Sequence, residues 1–318
     1  MPDASSTLTP YEAPYISRIR HQLQAKGSLP LATAALGQRT EIDGVDLDSL
    51  TREHGSPLFV YSEATLERVL DRAQSAFKRA WPKTRFAWSY KTCYLRGICR
   101  FFHQHGSLAE VVSDFEYRKA RRSGIPGSDI VFNGPWKPLP ILETAAREGA
   151  RIHVDNFEEI EDLEVVAKKL GRKIPLAIRI NLNAGVFPQW GKFGFALENG
   201  QAWAALQRLH AAGCFELRGL HCHIGTFVLD PLAYGRAVDK LAELAKQAQS
   251  LFPEPLRYLD LGGGFPLLFR PQRRLPAAGD RGASSRGLRR SAGRRDAPSL
   301  RCRNRPGTAP RKWSPPGR

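Results

Sequence analysis

The sequence lacks the marks of an exported or membrane-bound protein. Its first residues, Met1 to Thr9, are polar and have no basic region followed by an apolar stretch, as a secretory signal would have. No part of the chain approaches a run of about 20 apolar residues, the length of a membrane-spanning helix. The five cysteines are scattered and odd in number, without the paired spacing of a disulfide framework or a zinc cluster. We therefore interpret them as reduced thiols and expect a cytoplasmic protein with no membrane partner.

Acidic side chains are scarce in the last part of the chain, which explains most of its formal charge of +17. Residues 267–318 contain 14 Arg and 1 Lys against 2 Asp, so they supply +13 and leave +4 for residues 1–266. The first 266 residues therefore have the charge balance of an ordinary folded enzyme. Residues 267–318 are rich in Arg, Pro, Gly, Ala and Ser, which is the composition of a low-complexity segment.

Two interpretations of this basic tail differ in function. A basic arm would attract the phosphates of nucleic acid. Beyond its first residues, however, its aromatic content is limited to Trp313, and no nucleic-acid-binding fold accompanies it. The alternative is a truncated or out-of-frame end of the coding sequence, because the composition changes abruptly after Pro266. We favour the second interpretation and do not expect a nucleic-acid partner.

Short apolar runs alternate with segments of helical spacing up to Pro266. The runs predict strands at residues 58–61, 85–91, 108–113, 130–133, 151–155, 175–182, 217–224 and 256–261. Ser113 and Asn156 are each followed three residues later by a glutamate, which predicts capped helix starts, and Asp230-Pro231 predicts another. Strands followed by capped helices are typical of a parallel barrel or a doubly wound sheet. Without the first run seven units remain, which predicts an α/β fold, a (β/α)8 TIM-type barrel that lacks its eighth strand.

Two features stand at the ends of predicted strands. Lys91 ends the strand 85–91, at the carboxyl end where barrel enzymes place catalytic groups. Taken alone, a lysine at a strand end is more often a solvated charge. A glycine run of Gly262, Gly263 and Gly264 closes the last predicted strand, close to where barrels often bind phosphate.

His221 and His223 lie two residues apart, so they share one face of a strand. A pair of hydrogen-bonded core histidines is the simpler interpretation, and a zinc site is the alternative, since His103 and His105 repeat the spacing. No carboxylate neighbours either pair closely in the sequence. We therefore predict no metal site and keep a metal-dependent barrel hydrolase as an alternative. A lysine for a Schiff base, a histidine beside a ring and glycines for a phosphate together describe pyridoxal phosphate as the cofactor.

Seven short motifs follow one another in this part of the chain. They are Ser89-Tyr90-Lys91, Glu110-Val111-Val112-Ser113, Val131-Phe132-Asn133-Gly134, Val154-Asp155-Asn156, Lys192-Phe193-Gly194, His221-Cys222-His223-Ile224-Gly225-Thr226 and Leu259-Asp260-Leu261-Gly262-Gly263-Gly264. In this order they resemble the motifs of the fold-type III pyridoxal-phosphate decarboxylases, whose barrel is of the alanine racemase-like class. The resemblance covers roughly residues 55–266. It is closer to the diaminopimelate decarboxylases than to the ornithine decarboxylases.

The resemblance implies roles for single residues. Lys91 would bind the cofactor covalently, His223 would stack on its ring, and Thr226 with the glycine run would bind its phosphate. Arg179 matches an arginine of the fifth barrel strand, and an inward-facing ion pair explains it equally well. Glu110 stands where the family usually has aspartate. Because glutamate is one methylene longer, any contact that it makes with the cofactor is shifted.

The resemblance also implies segments that do not follow Pro266. These are a Glu-Pro-Gly-Arg segment on the eighth strand and a β-domain that supplies a cysteine-containing loop and a tyrosine. We therefore expect residues 1–55 to be an N-terminal extension that belongs to the β-domain region. Residues 56–266 would be an incomplete barrel for pyridoxal phosphate, and residues 267–318 the basic tail. The family further implies a homodimer.

The function that the resemblance implies is pyridoxal-phosphate-dependent decarboxylation of an amino acid. The expected reaction converts meso-diaminopimelate to lysine. Because the missing segments carry part of the family's active site, we expect the sequence as written to be inactive. Decarboxylation of ornithine or arginine is the alternative within the family, and a non-catalytic cofactor-binding or nucleic-acid-binding protein is the alternative outside it.

Overall fold

A computed structural model describes residues 40–265 of the chain. Its elements in chain order are β1 (Glu41–Ile42), β2 (Val45–Asp46), α1 (Leu47–His54), α2 (Glu63–Ala80), β3 (Ala87–Ser89), α3 (Arg96–Gln104), β4 (Leu108–Val111), α4 (Asp114–Arg122), a 3-10 turn (Gly127–Asp129), β5 (Ile130–Phe132), α5 (Leu139–Arg147), β6 (Arg151–Val154), α6 (Phe157–Leu170), β7 (Ile174–Asn181), β8 (Phe195–Ala196), α7 (Gln201–Ala212), β9 (Phe215–Cys222), α8 (Pro231–Ala248) and β10 (Tyr258–Asp260). The predicted tail, residues 267–318, lies outside the described residues, and so do residues 1–39 of the predicted N-terminal extension.

Seven parallel strands form a curled sheet in the order β3-β4-β5-β6-β7-β9-β10. The short strand β8 pairs with β7 beside this path, and β1 and β2 form a separate antiparallel pair. A helix separates each strand of the path from the next, as parallel pairing requires. The predicted α/β barrel class, with seven strand units, is confirmed.

The first predicted strand, residues 58–61, is wrong. This segment has the β-branched and aromatic composition of a strand, yet it pairs with no strand among the described residues. It is exposed instead, with Phe59 at 86% of its full accessible area. The segment lies directly before α2. A strand also requires a neighbouring strand with which to pair, and the composition of a segment does not determine whether that partner exists.

Burial on both faces of the sheet explains the apolar runs. All three residues of β5 are buried, and Ile174–Asn181 of β7 is buried at six of its eight positions. Parallel strands lie between helices and the barrel interior, so they read as nearly continuous apolar segments. Two of the predicted helix starts are confirmed in detail, because the Asn156 and Ser113 side chains accept hydrogen bonds from Glu159 N (2.9 Å) and Glu116 N (3.3 Å).

The two ends of the curled sheet approach each other. Phe265, after β10, contacts the ring of Phe77 on α2 with 5.7 Å between ring centroids. Phe77 in turn packs against Phe86, directly before β3. Within the described portion, β3 and β10 each pair with one strand only, so they are its edge strands. None of the described helices is both long and apolar enough to cross a membrane.

Candidate active site

Lys91 and Glu110 form an ion pair at the carboxyl ends of the first two strands of the path. Ser89 of β3 lies opposite Glu110 of β4, so Lys91, two residues further on, reaches the same carboxylate. Lys91 Nζ lies 3.4 Å from Glu110 Oε1. The lysine side chain is 48% exposed and the glutamate side chain 12% exposed, which places the pair at the mouth of the barrel.

Glu110 is held by two further side chains. Ser89 Oγ donates a hydrogen bond to Glu110 Oε2, and Asn133 Nδ2 donates to Glu110 Oε1 over 3.4 Å. These partners come from β3 and from the segment after β5, on either side of Glu110. The carboxylate is therefore fixed by its neighbours and turned toward Lys91. Three of the recognised motifs thus meet at one point.

Arg179 lies inside the barrel on β7. Its Nη1 is 3.3 Å from Asp155 Oδ1, and both side chains are almost completely buried. Burial lowers the pKa of the Arg179 guanidinium, and the Asp155 carboxylate opposes that shift. The ring of Phe193 lies 5.1 Å from the guanidinium carbon, and a Cβ on Gly194 would lie 2.7 Å from the Arg179 carbonyl oxygen. The Lys-Phe-Gly motif therefore packs closely onto this arginine, and the predicted inward-facing ion pair is present.

His221 and His223 occupy different surroundings. His221, on β9, is buried in the barrel interior with its ring 5.0 Å from that of His153. His223 follows β9 at the mouth, where it is half-buried and meets the edge of Trp190 at 5.1 Å between centroids. Burial, together with the positive charges of Arg179 and Lys91, lowers the pKa of His223 to about 4. His223 is therefore a neutral ring at pH 7.

The glycine run packs against the loop that follows β9. Gly262 and Gly264 adopt positive φ angles of 68° and 88°, which favour glycine. A Cβ on Gly264 would lie 2.0 Å from the carbonyl oxygen of Gly225, and one on Gly262 would lie 2.6 Å from that of Cys222. These contacts bring the run beside the Gly-Thr segment, which the sequence predicts to share the same phosphate.

The geometry of the run fits a phosphate group. A Cβ on Gly263 would meet nothing within 4 Å, so space is open beside this residue. Its carbonyl accepts the Tyr234 hydroxyl at 3.0 Å, and the Gly264 carbonyl accepts Val228 N at 2.8 Å, which fixes both peptides. Within residues 40–265, the N–H groups of Gly263 and Gly264 have no protein acceptor. Free amides beside an open space, with Lys91 at the same mouth, suit an anionic, carbonyl-bearing cofactor.

Three interior residues near His221 were missed by sequence reasoning. His153 is completely buried, with Nε2 3.0 Å from the Tyr258 hydroxyl and Nδ1 3.8 Å from Asp260 Oδ2. Ligand atoms of His153, His221 and Asp260 lie within 4.8 Å of one another. The expectation that no carboxylate lies near His221 is therefore wrong in space, although it holds along the sequence. Polar residues inside otherwise apolar strands are the signal that could have revealed this cluster.

The second histidine pair does not form a site. His103 lies between the Tyr90 hydroxyl (2.9 Å from Nε2) and the Ser107 carbonyl (2.9 Å from Nδ1). His105 Nδ1 lies 2.8 Å from the Phe101 carbonyl. Both histidines are thus engaged separately, His103 at the end of α3 and His105 directly after it.

Lys137 is a second lysine near the mouth, and it is fully enclosed. Its Nζ lies 2.7 Å from Glu159 Oε1 and donates to the carbonyls of Gly134 (2.6 Å) and His153 (3.0 Å). Its side chain has no exposed area. This ammonium donates to two backbone carbonyls and pairs with a buried carboxylate, so Lys137 is a structural cation that joins the segments after β5 and β6.

The fold and these residues define a barrel of parallel strands with a lysine at the end of one edge strand and a glycine-lined anion site at the end of the other. The chain belongs to the pyridoxal-dependent decarboxylases, because the family model described as "Pyridoxal-dependent decarboxylase, pyridoxal binding domain" matches residues 66–277. Pyridoxal phosphate is the cofactor of this family, and the site residues present here fit it.

Individual relatives point to one branch of the family. The chain is 30% identical over 250 residues to diaminopimelate decarboxylase of Aquifex aeolicus, covering 75% of this chain and 57% of the relative. It is 31% identical over 235 residues to the Bacillus subtilis enzyme, covering 71% and 53%. A crystal structure of the M. jannaschii enzyme with L-lysine superposes with a TM-score of 0.66 at 28% identity, covering 74% and 57%. The chain therefore spans little more than half the length of the relatives that it matches.

Proposed function

We propose that this chain is the cofactor-binding part of an enzyme that decarboxylates meso-diaminopimelate to lysine. The relatives that carry this name, and the solved relative with L-lysine, support the substrate. The observation that carries the proposal is the placement of Lys91, its partner Glu110 and the glycine run at one end of the barrel. We further propose a cytoplasmic homodimer, and we keep the division at residues 55 and 266.

We propose the following roles for the site residues. Lys91 binds the cofactor covalently, and Glu110 beside it accepts or holds a proton at Nζ. The amides of Gly263 and Gly264, with the Thr226 hydroxyl, hold the phosphate. His223 stacks on the cofactor as a flat ring. The ring is uncharged at pH 7, because an imidazolium at this half-buried position would cost desolvation energy.

The chemistry of the reaction comes from the cofactor, and the chain orients it. When bound, pyridoxal phosphate supplies a conjugated ring that takes up the electron pair left when carbon dioxide departs. Arg179 and Lys91 place two cationic groups at this end of the barrel, where they can meet the anionic phosphate or a substrate carboxylate. Asp155 and Glu110 fix these two cations in place, since each pairs with one of them.

The experiment is to purify the 318-residue chain, add pyridoxal phosphate and record the visible absorbance of the lysine-bound cofactor. Borohydride reduction and peptide mass mapping then locate the pyridoxyl group. We expect the group on Lys91. A chain that forms no covalent adduct would contradict the proposed cofactor role.

Turnover is measured separately as carbon dioxide release from diaminopimelate, ornithine and arginine. The Glu-Pro-Gly-Arg segment of the family does not occur in this sequence. We therefore expect cofactor binding with negligible release from any of the three. Ordinary turnover of diaminopimelate would show that other residues supply the missing groups, and turnover of ornithine or arginine alone would contradict the proposed substrate.

A further inference from the structure

Asp260 makes two contacts that link the barrel interior to the glycine run. Its Oδ1 accepts a hydrogen bond from Gly262 N at 2.8 Å. Its Oδ2 lies 3.8 Å from Nδ1 of His153. The side chain is 27% exposed, so the carboxylate stands between the buried interior and the mouth. Gly262 N is therefore engaged within the protein, in contrast to the two amides that follow it.

His153 reaches Asp260 across the curved sheet. It comes from β6, which is separated from β10 by β7 and β9. Burial lowers the pKa of His153 to about 3, so the ring is neutral and carries one N–H. Its Nε2 lies 3.0 Å from the Tyr258 hydroxyl, and its Nδ1 lies 3.8 Å from the Asp260 carboxylate, beyond hydrogen-bond distance.

Tyr258 can occupy this place because its strand neighbour is a glycine. Tyr258 lies opposite Gly219 of β9, and a Cβ on Gly219 would lie 2.7 Å from the tyrosine ring. The ring therefore lies directly over the Gly219 backbone, and its hydroxyl meets His153. Tyr258 and His153 thus form a buried hydrogen-bonded pair that lies beside Asp260, and Asp260 in turn accepts the hydrogen bond from Gly262 N.

The charge of Asp260 makes its position informative. A carboxylate beside a phosphate site repels the phosphate, and so it weakens binding unless it does something else there. Here the Asp260 carboxylate accepts the hydrogen bond of Gly262 N, so this amide is not available to a phosphate. The same hydrogen bond fixes the turn at which the glycine run begins. The next two amides, of Gly263 and Gly264, have no protein acceptor in the described part of the chain, and the space beside Gly263 is open.

We propose that Asp260, which lies beside the buried His153–Tyr258 pair, is a positioning residue that sets the glycine run for the phosphate of the cofactor. The inference rests on the proposed function, in which this run binds that phosphate. In this proposal Asp260 contributes to binding of the phosphate group and not to binding of the rest of the cofactor. Lys91, at the other edge of the sheet, determines binding of the pyridine aldehyde.

The test compares two ligands that differ only in the phosphate. Dissociation constants for pyridoxal phosphate and for pyridoxal are measured on the full chain and on Asp260→Ala. Loss of one positioning hydrogen bond should weaken pyridoxal phosphate binding about tenfold and leave pyridoxal binding unchanged. Asp260→Asn keeps an oxygen acceptor for Gly262 N and should bind pyridoxal phosphate at least as well as the unaltered chain.

A second variant and a control keep the test decisive. Tyr258→Phe removes only the hydroxyl and should weaken pyridoxal phosphate binding about threefold, again without effect on pyridoxal, even if Asp260→Ala does not fold. Asp239→Ala removes an exposed aspartate of α8 and should change neither constant. Equal weakening of both ligands, or unchanged binding in Tyr258→Phe, would overturn the inference and leave the proposed function standing. An unaltered chain that binds neither ligand would overturn both.

Discussion

Lys91 Nζ lies 3.4 Å from Glu110 Oε1, and the two residues come from neighbouring parallel strands. The strand register creates this pair. Ser89, two residues before Lys91, lies opposite Glu110 and donates a hydrogen bond to the same carboxylate. The Glu110 carboxylate therefore contacts side chains from two positions of the neighbouring strand and its end.

Lys91→Ala should abolish covalent attachment of pyridoxal phosphate. Lys91 is half-exposed at the mouth, whereas Lys137 is enclosed, donates to two backbone carbonyls and pairs with Glu159. The measurement is borohydride reduction followed by peptide mass mapping. Lys83→Ala, which removes an exposed lysine before β3, is the matched control and should retain the adduct. A pyridoxyl group found on Lys192 or Lys137 of the unaltered chain would refute the assignment.

Two neighbouring glycines should respond differently to alanine. Gly264→Ala places a Cβ 2.0 Å from the Gly225 carbonyl at a φ of 88°, so the free energy of unfolding should fall by about 2 kcal/mol or more. Gly263→Ala adds a methyl to open space and should leave stability nearly unchanged while it weakens pyridoxal phosphate binding. Urea denaturation and ligand titration separate these effects. Equal stability losses in the two variants would contradict the proposed packing of the run.

His223→Ala should weaken pyridoxal phosphate binding about tenfold, since it removes the ring that is proposed to stack on the cofactor. His221→Ala should chiefly lower stability, because His221 is buried in the interior beside His153. The two variants are compared by ligand titration and by urea denaturation. Equal losses of binding, or one zinc ion per chain in the purified protein, would favour the metal interpretation of the histidines.

The stability of the protein should fall as the pH is lowered from about 6.5 to 4. The folded-state pKa of His223 is about 4, against an ordinary value of 6.5, so between these values the unfolded chain binds a proton that the folded chain does not. Protonation therefore favours unfolding, by about 3 kcal/mol for this residue. His223→Gln should flatten the dependence measured by urea denaturation, and His54→Gln, at an exposed position of α1, should not. A dependence identical in His223→Gln and the unaltered chain would show that His223 titrates normally.

Lys137→Met should cost about 3–5 kcal/mol of stability, because it leaves Glu159 buried without its cation. Burial already raises the pKa of Glu159, and Lys137 opposes that rise. Lys169→Met breaks an exposed pair with Glu143 and is the matched control, with an expected cost below about 1 kcal/mol. Adding Glu159→Gln to Lys137→Met should recover part of the loss. If both lysine variants cost the same, the buried pair is not a structural anchor.

The sequence was sufficient to predict elements whose signals are local. The seven strands follow from apolar runs in the sequence. The helix caps at Ser113 and Asn156 follow from the glutamate that stands three residues after each of them. The strand at residues 58–61 failed because pairing depends on a neighbour that composition does not specify. The contact of His153 with Asp260 could not be predicted, since the curvature of the sheet alone brings β6 and β10 together.

The path of strands also determines how readily each part of the barrel opens. β7 lies well inside the path, pairs with β6, β9 and β8, and is the longest strand together with β9. Its amides should exchange with solvent only when the whole sheet comes apart, whereas those of β3 and β10 can exchange through fraying at the edges. Lys91 and the glycine run follow these two edge strands, so the groups proposed to hold the cofactor lie on the most loosely held part of the sheet. A ligand that binds both Lys91 and the glycine run would connect the two edge strands and stabilise them. Amide exchange in β3 and β10 should therefore slow down when that ligand is bound.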